Sequence, residues 1–90
     1  MPEQSVRLVN RLGLHARAAA QVVRIAKDLD CEIILKRADT QVEANAKSIL
    51  ALLGLSASHG VELVLRAEGP DASRALSSIS VLFEQGFGEE

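Results

Sequence analysis

The sequence predicts an α+β fold in which three helices cover one face of a four-stranded antiparallel sheet. Segments of alternating apolar and polar residues, typical of strands, are separated by segments whose apolar residues recur every three or four positions, typical of helices. Each helix has a single apolar stripe, which has to be buried against a common sheet, while the other sheet face is left to solvent. The predicted architecture is a two-layer open-faced sandwich with the order βαββαβα.

The first four elements are predicted from alternation, helical spacing and turn residues. Val6 and Leu8 alternate with polar residues until Asn10, which favours a turn. Beyond Gly13, alanines and valines recur as one apolar stripe, the most regular helical pattern of the chain. Two short runs joined through residues 38–40 then predict a hairpin, whose second strand is poorly patterned. The expected bounds are 4–9 (strand), 16–29 (helix), 32–36 (strand) and 41–44 (strand).

The last three elements are a short helix, a strand and a final helix. The short helix begins at Ser48 and stops near Gly54. A loop follows, in which His59 is expected to have no special role. An alternating strand comes next, and Pro70 and Asp71 start the final helix. The expected bounds are 48–53 and 61–67, and the final stripe consists of Ala72, Ala75, Leu76, Ile79, Leu82 and Phe83.

The outer face of the predicted sheet has a mixed and largely charged composition. Strand residues two apart point to the same side, so the predicted registers bring polar positions of several strands together. A surface of this composition is suited to water. The residues expected there are Arg7, Glu32, Ile34, Lys36, Glu62, Val64 and Arg66.

Length and composition restrict the class of protein. Ninety residues with 48% hydrophobic content form one modest core, so residues 1–90 are expected to be a single domain. The first residues lack a signal-peptide pattern, and no apolar run approaches the roughly 20 residues that span a bilayer. A cytoplasmic protein without membrane insertion is therefore expected. Cys31, His15 and His59 form no spaced metal-binding pattern, so neither a metal nor a cofactor is predicted.

The charge around the first helix is one-sided. Between residues 4 and 27 the sequence has no Asp or Glu. Such a segment favours an acidic protein partner or a phosphate group, although ordinary solvated charges explain it equally well. Nucleic-acid binding is not expected, because only 2% of the residues are aromatic and could stack on bases. The cations of this segment are Arg7, Arg11, Arg17, Arg24 and Lys27.

A histidine stands at the start of the first helix, in the stretch NRLGLHARAAAQVV at residues 10–23. If Ala16 is the first helical residue, His15 caps the helix, and the free N–H groups of Ala16, Arg17 and Ala18 face whatever the ring carries. These donors and the helix dipole favour an anion there and disfavour a protonated ring. A neutral imidazole accepts a phosphoryl group, whose oxygens Arg17 can hold. A capping histidine without a chemical role is the alternative.

The short helix has more apolar residues than one helix face can bury. Leu52 and Leu55 are the expected core residues. The remaining apolar side chains would form an exposed patch, and such patches mark protein interfaces. A locally deeper core is the alternative. The residues of the predicted patch are Ile49, Leu50 and Leu53.

The string GLHAR at residues 13–17 resembles the active-site signature of the HPr family, the phosphocarrier proteins of the bacterial phosphoenolpyruvate-dependent phosphotransferase system. A second block, NAKSI at residues 45–49, together with length and element order, extends the resemblance over essentially the whole chain. The resemblance implies that His15 accepts a phosphoryl group on Nδ1 from enzyme I and passes it to an enzyme IIA-type acceptor, with Arg17 assisting. It implies a carrier, here expected to be a monomer, and not an enzyme.

Other features bear on the branch of the family and on regulation. The family often has proline after the arginine, whereas this chain has Ala18. That residue and the acidic ending at 86–90 are similar to the nitrogen-type regulatory branch, but the sugar-type branch stays open. The resemblance also implies that Ser48 can be phosphorylated by an HPr kinase/phosphorylase. The alternative is that Ser48 only caps the short helix.

Two further classes of function are compatible with the residues. A small acylphosphatase-like hydrolase is also a compact α+β protein with an arginine at a phosphate, and it would release phosphate on its own. A purely regulatory binding module, acting mainly by protein binding, would keep its control of partners after the substitution His15→Ala.

Overall fold

Four strands pair into one antiparallel sheet in the computed structural model, which describes residues 2–89. The spatial order is β1-β4-β2-β3, and every neighbouring pair is antiparallel. The helices pack on one face, so the predicted α+β sandwich and its βαββαβα order are confirmed. The elements are β1 Glu3–Arg7, α1 Ala16–Ala26, β2 Glu32–Arg37, β3 Glu43–Asn45, α2 Ile49–Leu53, β4 Glu62–Glu68, α3 Ala72–Glu84 and a closing 3-10 turn, Gly86–Gly88.

The core fills the space between the sheet and the helices. Along β4, Leu63, Leu65 and Ala67 are buried, whereas Val64 and Arg66 face the other side and are only half-buried. Each large apolar side chain removed from water in this way stabilises the fold by about 1.5–3 kcal/mol. The helices contribute Ala18, Ala19, Val22, Leu52, Ala75, Ile79 and Phe83 to the same core.

The outer face of the sheet has the composition predicted for it. Arg7 lies opposite Glu62 and Ile34 opposite Arg66, so these side chains share one side of the sheet. An ion pair of 3.4 Å joins Arg7 Nη2 to Glu62 Oε1. All seven residues predicted for this face are exposed or half-buried, namely Arg7, Glu32, Ile34, Lys36, Glu62, Val64 and Arg66.

Helix α1 ends at Ala26, before the predicted end at Leu29. Asp28 and Asp30 have low helix propensity, because their side chains compete for backbone hydrogen bonds. After Ala26 the hydrogen bonds span three residues instead of four, and the N–H of Leu29 donates to the Ala26 carbonyl oxygen at 3.1 Å. Lys47 Nζ donates to the Leu29 carbonyl oxygen at 2.9 Å, which ties the segment after the helix to the loop before α2.

The third strand also starts later than predicted, at Glu43 and not at residue 41. Gln41 has a φ of 66°, in the left-handed region, and its N–H donates to the Arg37 carbonyl oxygen at 2.8 Å. A residue in this conformation closes a turn and does not continue a strand. The other strands and α2 lie within one or two residues of their predicted bounds, and the closing 3-10 turn was missed.

The loop before α1 is held close to the segment that precedes β4. Gly13 has a φ of 67°, and a Cβ atom there would lie 2.6 Å from the Ala57 carbonyl oxygen. The N–H of Leu14 donates to that same oxygen at 2.9 Å. Only glycine meets both conditions without strain, so Gly13 fixes where the chain enters α1. No helix within residues 2–89 has the length and apolar character to cross a membrane.

Candidate functional site

His15 occupies the N-cap of α1, as the sequence predicts. Its backbone is extended, with φ −82° and ψ −179°. Its carbonyl oxygen accepts the N–H of Ala19 at 2.8 Å, the first bond of the helical series. The amides of Ala16, Arg17 and Ala18 precede that series and form the electropositive end of the helix.

The two ring nitrogens of His15 have different partners. Nδ1 accepts a hydrogen bond from the backbone N–H of Arg17 at 3.2 Å. Nε2 is in direct contact with Oε2 of Glu89. Because a backbone N–H can only donate, Nδ1 carries a lone pair and the neutral ring keeps its proton on Nε2, which donates to the carboxylate. In this tautomer Nδ1 is the nucleophilic nitrogen, and its lone pair faces the backbone N–H of Arg17 in the first turn of α1.

Asn10 holds the carboxylate of Glu89 from the other side. Its Nδ2 donates to Glu89 Oε1 at 2.9 Å and to the Gly13 carbonyl oxygen at 2.8 Å. The hydrogen bond from Asn10 lowers the pKa of Glu89, and the contact with His15 and the nearby charge of Arg17 lower it further. The carboxylate is therefore ionised at neutral pH, in a position where only 15% of its side chain is exposed.

His59 supports the same loop from the outside. Its Nδ1 donates to the backbone carbonyl oxygen of Asn10 at 3.1 Å, which assigns the proton of the neutral ring to that nitrogen. The His59 ring is exposed, and this hydrogen bond goes to Asn10 and not to His15. His59 is thus a structural contact of the loop that carries Asn10, a role that its place beside a turn did not reveal.

Two arginines flank the histidine. A shallow pocket is lined by Arg11, Leu12, Arg17 and Glu89. Both arginines are exposed, and neither guanidinium is in an ion pair with another of residues 2–89. A guanidinium in this state is free to bind the oxygens of a phosphate or a carboxylate with charge-assisted hydrogen bonds.

The predicted patch on α2 is smaller than expected. Ile49 and Leu50 are exposed, at 40% and 83%, and Leu52 and Leu55 are buried as predicted. Leu53 was predicted to be exposed, but it is half-buried against the core. The prediction was wrong because α2 contacts both α1 and β3, which cover more than one side of so short a helix.

Ser48 caps α2. Its Oγ accepts the N–H of Ala51 at 3.2 Å, and its backbone is extended. The side chain of the neighbouring Lys47 points away from Ser48 and donates to the Leu29 carbonyl oxygen, just beyond the end of α1. The capping role of Ser48 is therefore met in the unmodified side chain.

The main residue that the sequence missed is Glu89, which lies 74 positions after His15. The sequence places Glu89 only in an acidic ending, and it places Asn10 only at a turn. Chain separation of this kind leaves no spacing signal. Glu90, the other acidic residue of that ending, lies outside the described residues. Within residues 2–89 no group of three or more His, Cys, Asp and Glu side chains could hold a metal ion.

The open-faced α+β sandwich places the chain in the class of small phosphocarrier proteins. The family model described as "PTS HPr component phosphorylation site" matches residues 2–85. The chain belongs to the HPr family of the phosphotransferase system. The function predicted from the resemblance, a phosphocarrier and not an enzyme, is confirmed at the level of the family.

Relatives named HPr and NPr are similar along the whole chain. The phosphocarrier protein HPr of Treponema pallidum is 47% identical over 90 residues, 100% of each chain. The phosphocarrier protein NPr of Escherichia coli is 38% identical over 88 residues, 98% of this chain and 97% of its own. A crystal structure of an HPr from Thermoanaerobacter tengcongensis has a TM-score of 0.91 at 37% identity, covering 100% of this chain and 99% of that one.

Proposed function

We propose that His15 carries the phosphoryl group, accepting it on Nδ1 from enzyme I and passing it to enzyme IIA-type proteins. The observation that supports this most directly is the lone pair of Nδ1, which faces the backbone N–H of Arg17 in the first turn of α1. Family membership supports phosphotransferase partners in general. The assignment to this residue and to these partners is our own.

The transfer step needs little beyond position and charge. The Nδ1 lone pair attacks phosphorus, and the bond from phosphorus to the phosphorylated donor protein breaks, its electron pair leaving on the donor atom. The phosphoryl oxygens then take over the N–H groups of Ala16, Arg17 and Ala18 as acceptors. The Arg17 guanidinium adds charge-assisted hydrogen bonds. A loose phosphoryl-transfer transition state requires positioning and charge stabilisation of this kind.

The surface beside the histidine supports docking of other proteins. Leu12 is 67% exposed next to the arginine-lined pocket, and Leu50 is 83% exposed on α2. Leu12 lies beside Arg11 and Arg17, and exposed apolar side chains with basic neighbours match a partner surface that is apolar in the centre and acidic at the edge. We propose Ile49 and Leu50 as the part of the predicted patch that partners cover, and leave out Leu53.

Regulation at Ser48 is a separate proposal. A phosphoryl group on Oγ would place a dianion at the amide end of α2 and beside the apolar Ile49 and Leu50. It would therefore weaken docking of partners that cover these residues. Incubation with an HPr kinase/phosphorylase and ATP, with Ser48→Ala as the control, tests it. No acid-stable phosphate on the wild type would leave Ser48 with its capping role alone.

We further propose that residues 1–90 act as one HPr-like domain, as a monomer in the cytoplasm and without a cofactor. Size-exclusion chromatography with light scattering checks the monomer. The similarity to relatives named HPr and NPr supports both the sugar-type and the nitrogen-type branch. Phosphoryl transfer to enzyme IIA proteins of each type, compared at equal concentration, decides between them.

The deciding experiment for His15 is phosphorylation with phosphoenolpyruvate, magnesium and enzyme I of the same organism, followed by intact mass measurement. The wild type should gain one acid-labile phosphoryl group, and His15→Ala none. His59→Ala is the matched control, since it removes the other histidine, and it should still gain the group. An unmodified wild type, or a modified His15→Ala protein, would contradict the proposal.

The same sample separates a carrier from the other functional classes. A carrier holds the group until a partner arrives, whereas a hydrolase would release inorganic phosphate at a catalytic rate without one. If the protein is a binding module, the His15→Ala variant should control its partners as well as the wild type does. Persistence of phosphohistidine for many turnover times of enzyme I is the expected outcome.

A further inference from the structure

The 3-10 turn Gly86–Gly88 brings the carboxylate of Glu89 to the His15 ring. The turn itself is held in place by packing and by a hydrogen bond. Phe87 is buried, and its ring meets that of Phe83 edge to face at 5.0 Å between centroids. Gln21 Nε2 of α1 donates to the Phe87 carbonyl oxygen at 3.2 Å. Glu89 follows directly on this anchored turn, so its place beside His15 is determined by the packing before it.

Both carboxylate oxygens of Glu89 have a defined donor. Oε1 accepts from Asn10 Nδ2, and Oε2 accepts from His15 Nε2. The orientation of the Asn10 amide is itself determined, since the same Nδ2 also donates to the Gly13 carbonyl oxygen. Asn10 is 4% exposed, so its donors are held in a buried position and cannot turn to water.

We propose that Glu89 is a positioning residue for phosphoryl transfer, because its carboxylate keeps the ring proton of His15 on Nε2 and the lone pair on Nδ1. This inference rests on the proposed role of His15 as phosphoryl acceptor. Without an acceptor at Nε2 the neutral ring could hold its proton on either nitrogen, and the Nδ1–H tautomer cannot attack phosphorus from that atom.

The same carboxylate acts on the charge that develops during transfer. When Nδ1 attacks phosphorus, the donor bond breaks with its pair on the donor atom, and Nε2 retains its proton. The ring therefore becomes cationic. Glu89 faces this cation directly. When the group moves on, the nitrogen–phosphorus pair returns to Nδ1 and the ring is neutral again. No proton enters or leaves in either direction, because Glu89 holds it on Nε2 throughout.

The charged groups around the ring are few among residues 2–89. Arg17 lies on α1 itself, and Arg11 lines the same pocket from the preceding loop. Both guanidinium groups are positively charged, so they repel a positively charged His15 ring. His59 donates from Nδ1 to the Asn10 carbonyl oxygen, and it keeps this bond whether or not its own ring is protonated. Glu89 is thus the group that favours the proton on Nε2.

The substitution Glu89→Gln tests this arrangement without changing shape. A glutamine has one acceptor and one donor end, so keeping the Asn10 bond would turn its NH₂ toward Nε2 and favour the Nδ1–H tautomer. Imidazole ¹⁵N chemical shifts of the unphosphorylated protein report this directly. We expect the Nε2–H tautomer in the wild type and in Glu84→Gln, a matched charge loss on the exposed end of α3. Glu89→Gln should shift clearly toward Nδ1–H.

The pH profile of transfer to an enzyme IIA acceptor gives the second measurement. A carboxylate in contact with the ring stabilises the cationic phosphorylated ring, so the pH profile of transfer should differ between Glu89→Gln and the wild type, and the variant should transfer the group roughly tenfold more slowly. Glu89→Asp, which keeps the charge on a shorter side chain, should restore part of the loss.

The outcomes separate this inference from the proposed function. If the tautomer and the pH profile of Glu89→Gln equal those of the wild type, Glu89 has no positioning role, while phosphorylation of His15 stands. If the wild type is not phosphorylated at all, the proposed function fails, and the ¹⁵N measurement still decides which nitrogen holds the proton. Well-dispersed spectra of each variant exclude misfolding as the cause.

Discussion

The N-termini of α1 and α2 share a cap geometry. Each is preceded by an extended residue whose side chain accepts a backbone N–H of the first turn. His15 Nδ1 accepts from Arg17 at 3.2 Å, and Ser48 Oγ accepts from Ala51 at 3.2 Å. Caps of this kind are a common device for satisfying free amides. The geometry of the cap alone therefore does not distinguish a reactive site from a structural one.

The surroundings of the two caps differ. The ring of His15 has a second nitrogen, which contacts Glu89, and nearby lie Arg11 and Arg17, neither of which is in an ion pair with another residue of the described part of the chain. The Ser48 hydroxyl is followed by the exposed apolar side chains Ile49 and Leu50. The N-terminus of α1 is thus surrounded by charged groups, whereas the N-terminus of α2 is surrounded by apolar side chains suited to a protein surface. A reactive cap residue is therefore distinguished from a structural one by the contacts it makes in addition to its capping hydrogen bond.

The largest effect on stability is expected within α2, from Leu52→Ala. Leu52 is fully buried, and its truncation leaves a cavity that costs about 2–5 kcal/mol. Leu50→Ala, at 83% exposure, should change stability by less than about 0.5 kcal/mol but raise the KM of enzyme I for this protein. Urea unfolding and steady-state kinetics measure the two effects. Equal stability of both variants would contradict the assignment of the two faces.

Gly13→Ala tests the loop that delivers the chain to α1. The new Cβ would lie 2.6 Å from the Ala57 carbonyl oxygen at a φ of 67°. We expect a loss of about 2–4 kcal/mol together with slower phosphorylation, since His15 moves with the loop. Gly60→Ala is the matched control, with a φ of 88° but nothing near its Cβ. It should cost only the backbone strain, about 1–2 kcal/mol. Equal losses would show that the contact with Ala57 is unimportant.

Asn10→Ala removes the donors that hold Glu89 and the loop. Two hydrogen bonds are lost in a buried position, so about 1–3 kcal/mol of unfolding free energy should be lost as well. The contact between Glu89 and His15 should loosen, and the pKa of Glu89 should rise toward its ordinary value. Urea unfolding and a ¹³C carboxyl titration check both. A Glu89 pKa that stays as low in the variant as in the wild type would mean that Asn10 does not hold the carboxylate.

Ser48→Ala sharpens the comparison of the two caps. Loss of the cap should cost about 1 kcal/mol, while phosphorylation by enzyme I proceeds with little change in kcat. His15→Ala should cost a similar amount of stability and lose phosphorylation entirely. Thermal unfolding and the mass assay measure the pair. Loss of phosphorylation in Ser48→Ala would erase the distinction between the two helix ends.

The smallest expected effect is on stability in acid. The pKa of Glu89 is lowered in the folded protein, so its contacts stabilise the fold above the carboxyl range of the unfolded chain, about 4. This contribution is lost as the pH falls through the lower folded pKa. The wild type should therefore lose more stability than Glu89→Gln between neutral pH and the acid side of that range. Urea unfolding of both proteins at several pH values measures this difference. Equal losses of unfolding free energy would mean that the contact does not stabilise the fold.

Much of the fold could be predicted from the sequence, because the patterns are local. The apolar stripe of α1 and the alternation in β4 follow from periodicity, and the cap at His15 follows from the residues after it. The errors have local physical causes too. Gln41 adopts a left-handed conformation that a strand pattern does not reveal, and Leu53 is covered from a second side by neighbouring elements.

The site could be predicted only in part. His15 and Arg17 lie in one short motif, so their proximity is visible in the sequence. Glu89 reaches the ring across 74 positions, through a 3-10 turn whose buried Phe87 has a φ of 58°. No periodicity predicts such a turn, and an acidic ending alone does not indicate a contact. Long-range hydrogen bonds of this kind require the folded chain.

The central claim is that the phosphoryl group is carried on Nδ1 of His15. A ¹H–³¹P correlation spectrum of the protein phosphorylated by enzyme I, with ring protons assigned, tests it most directly. We predict one phosphorus signal coupled to the His15 ring in the pattern of an Nδ1 adduct. Phosphorus on Nε2, on His59 or on Ser48 after the same reaction would contradict the account of the site.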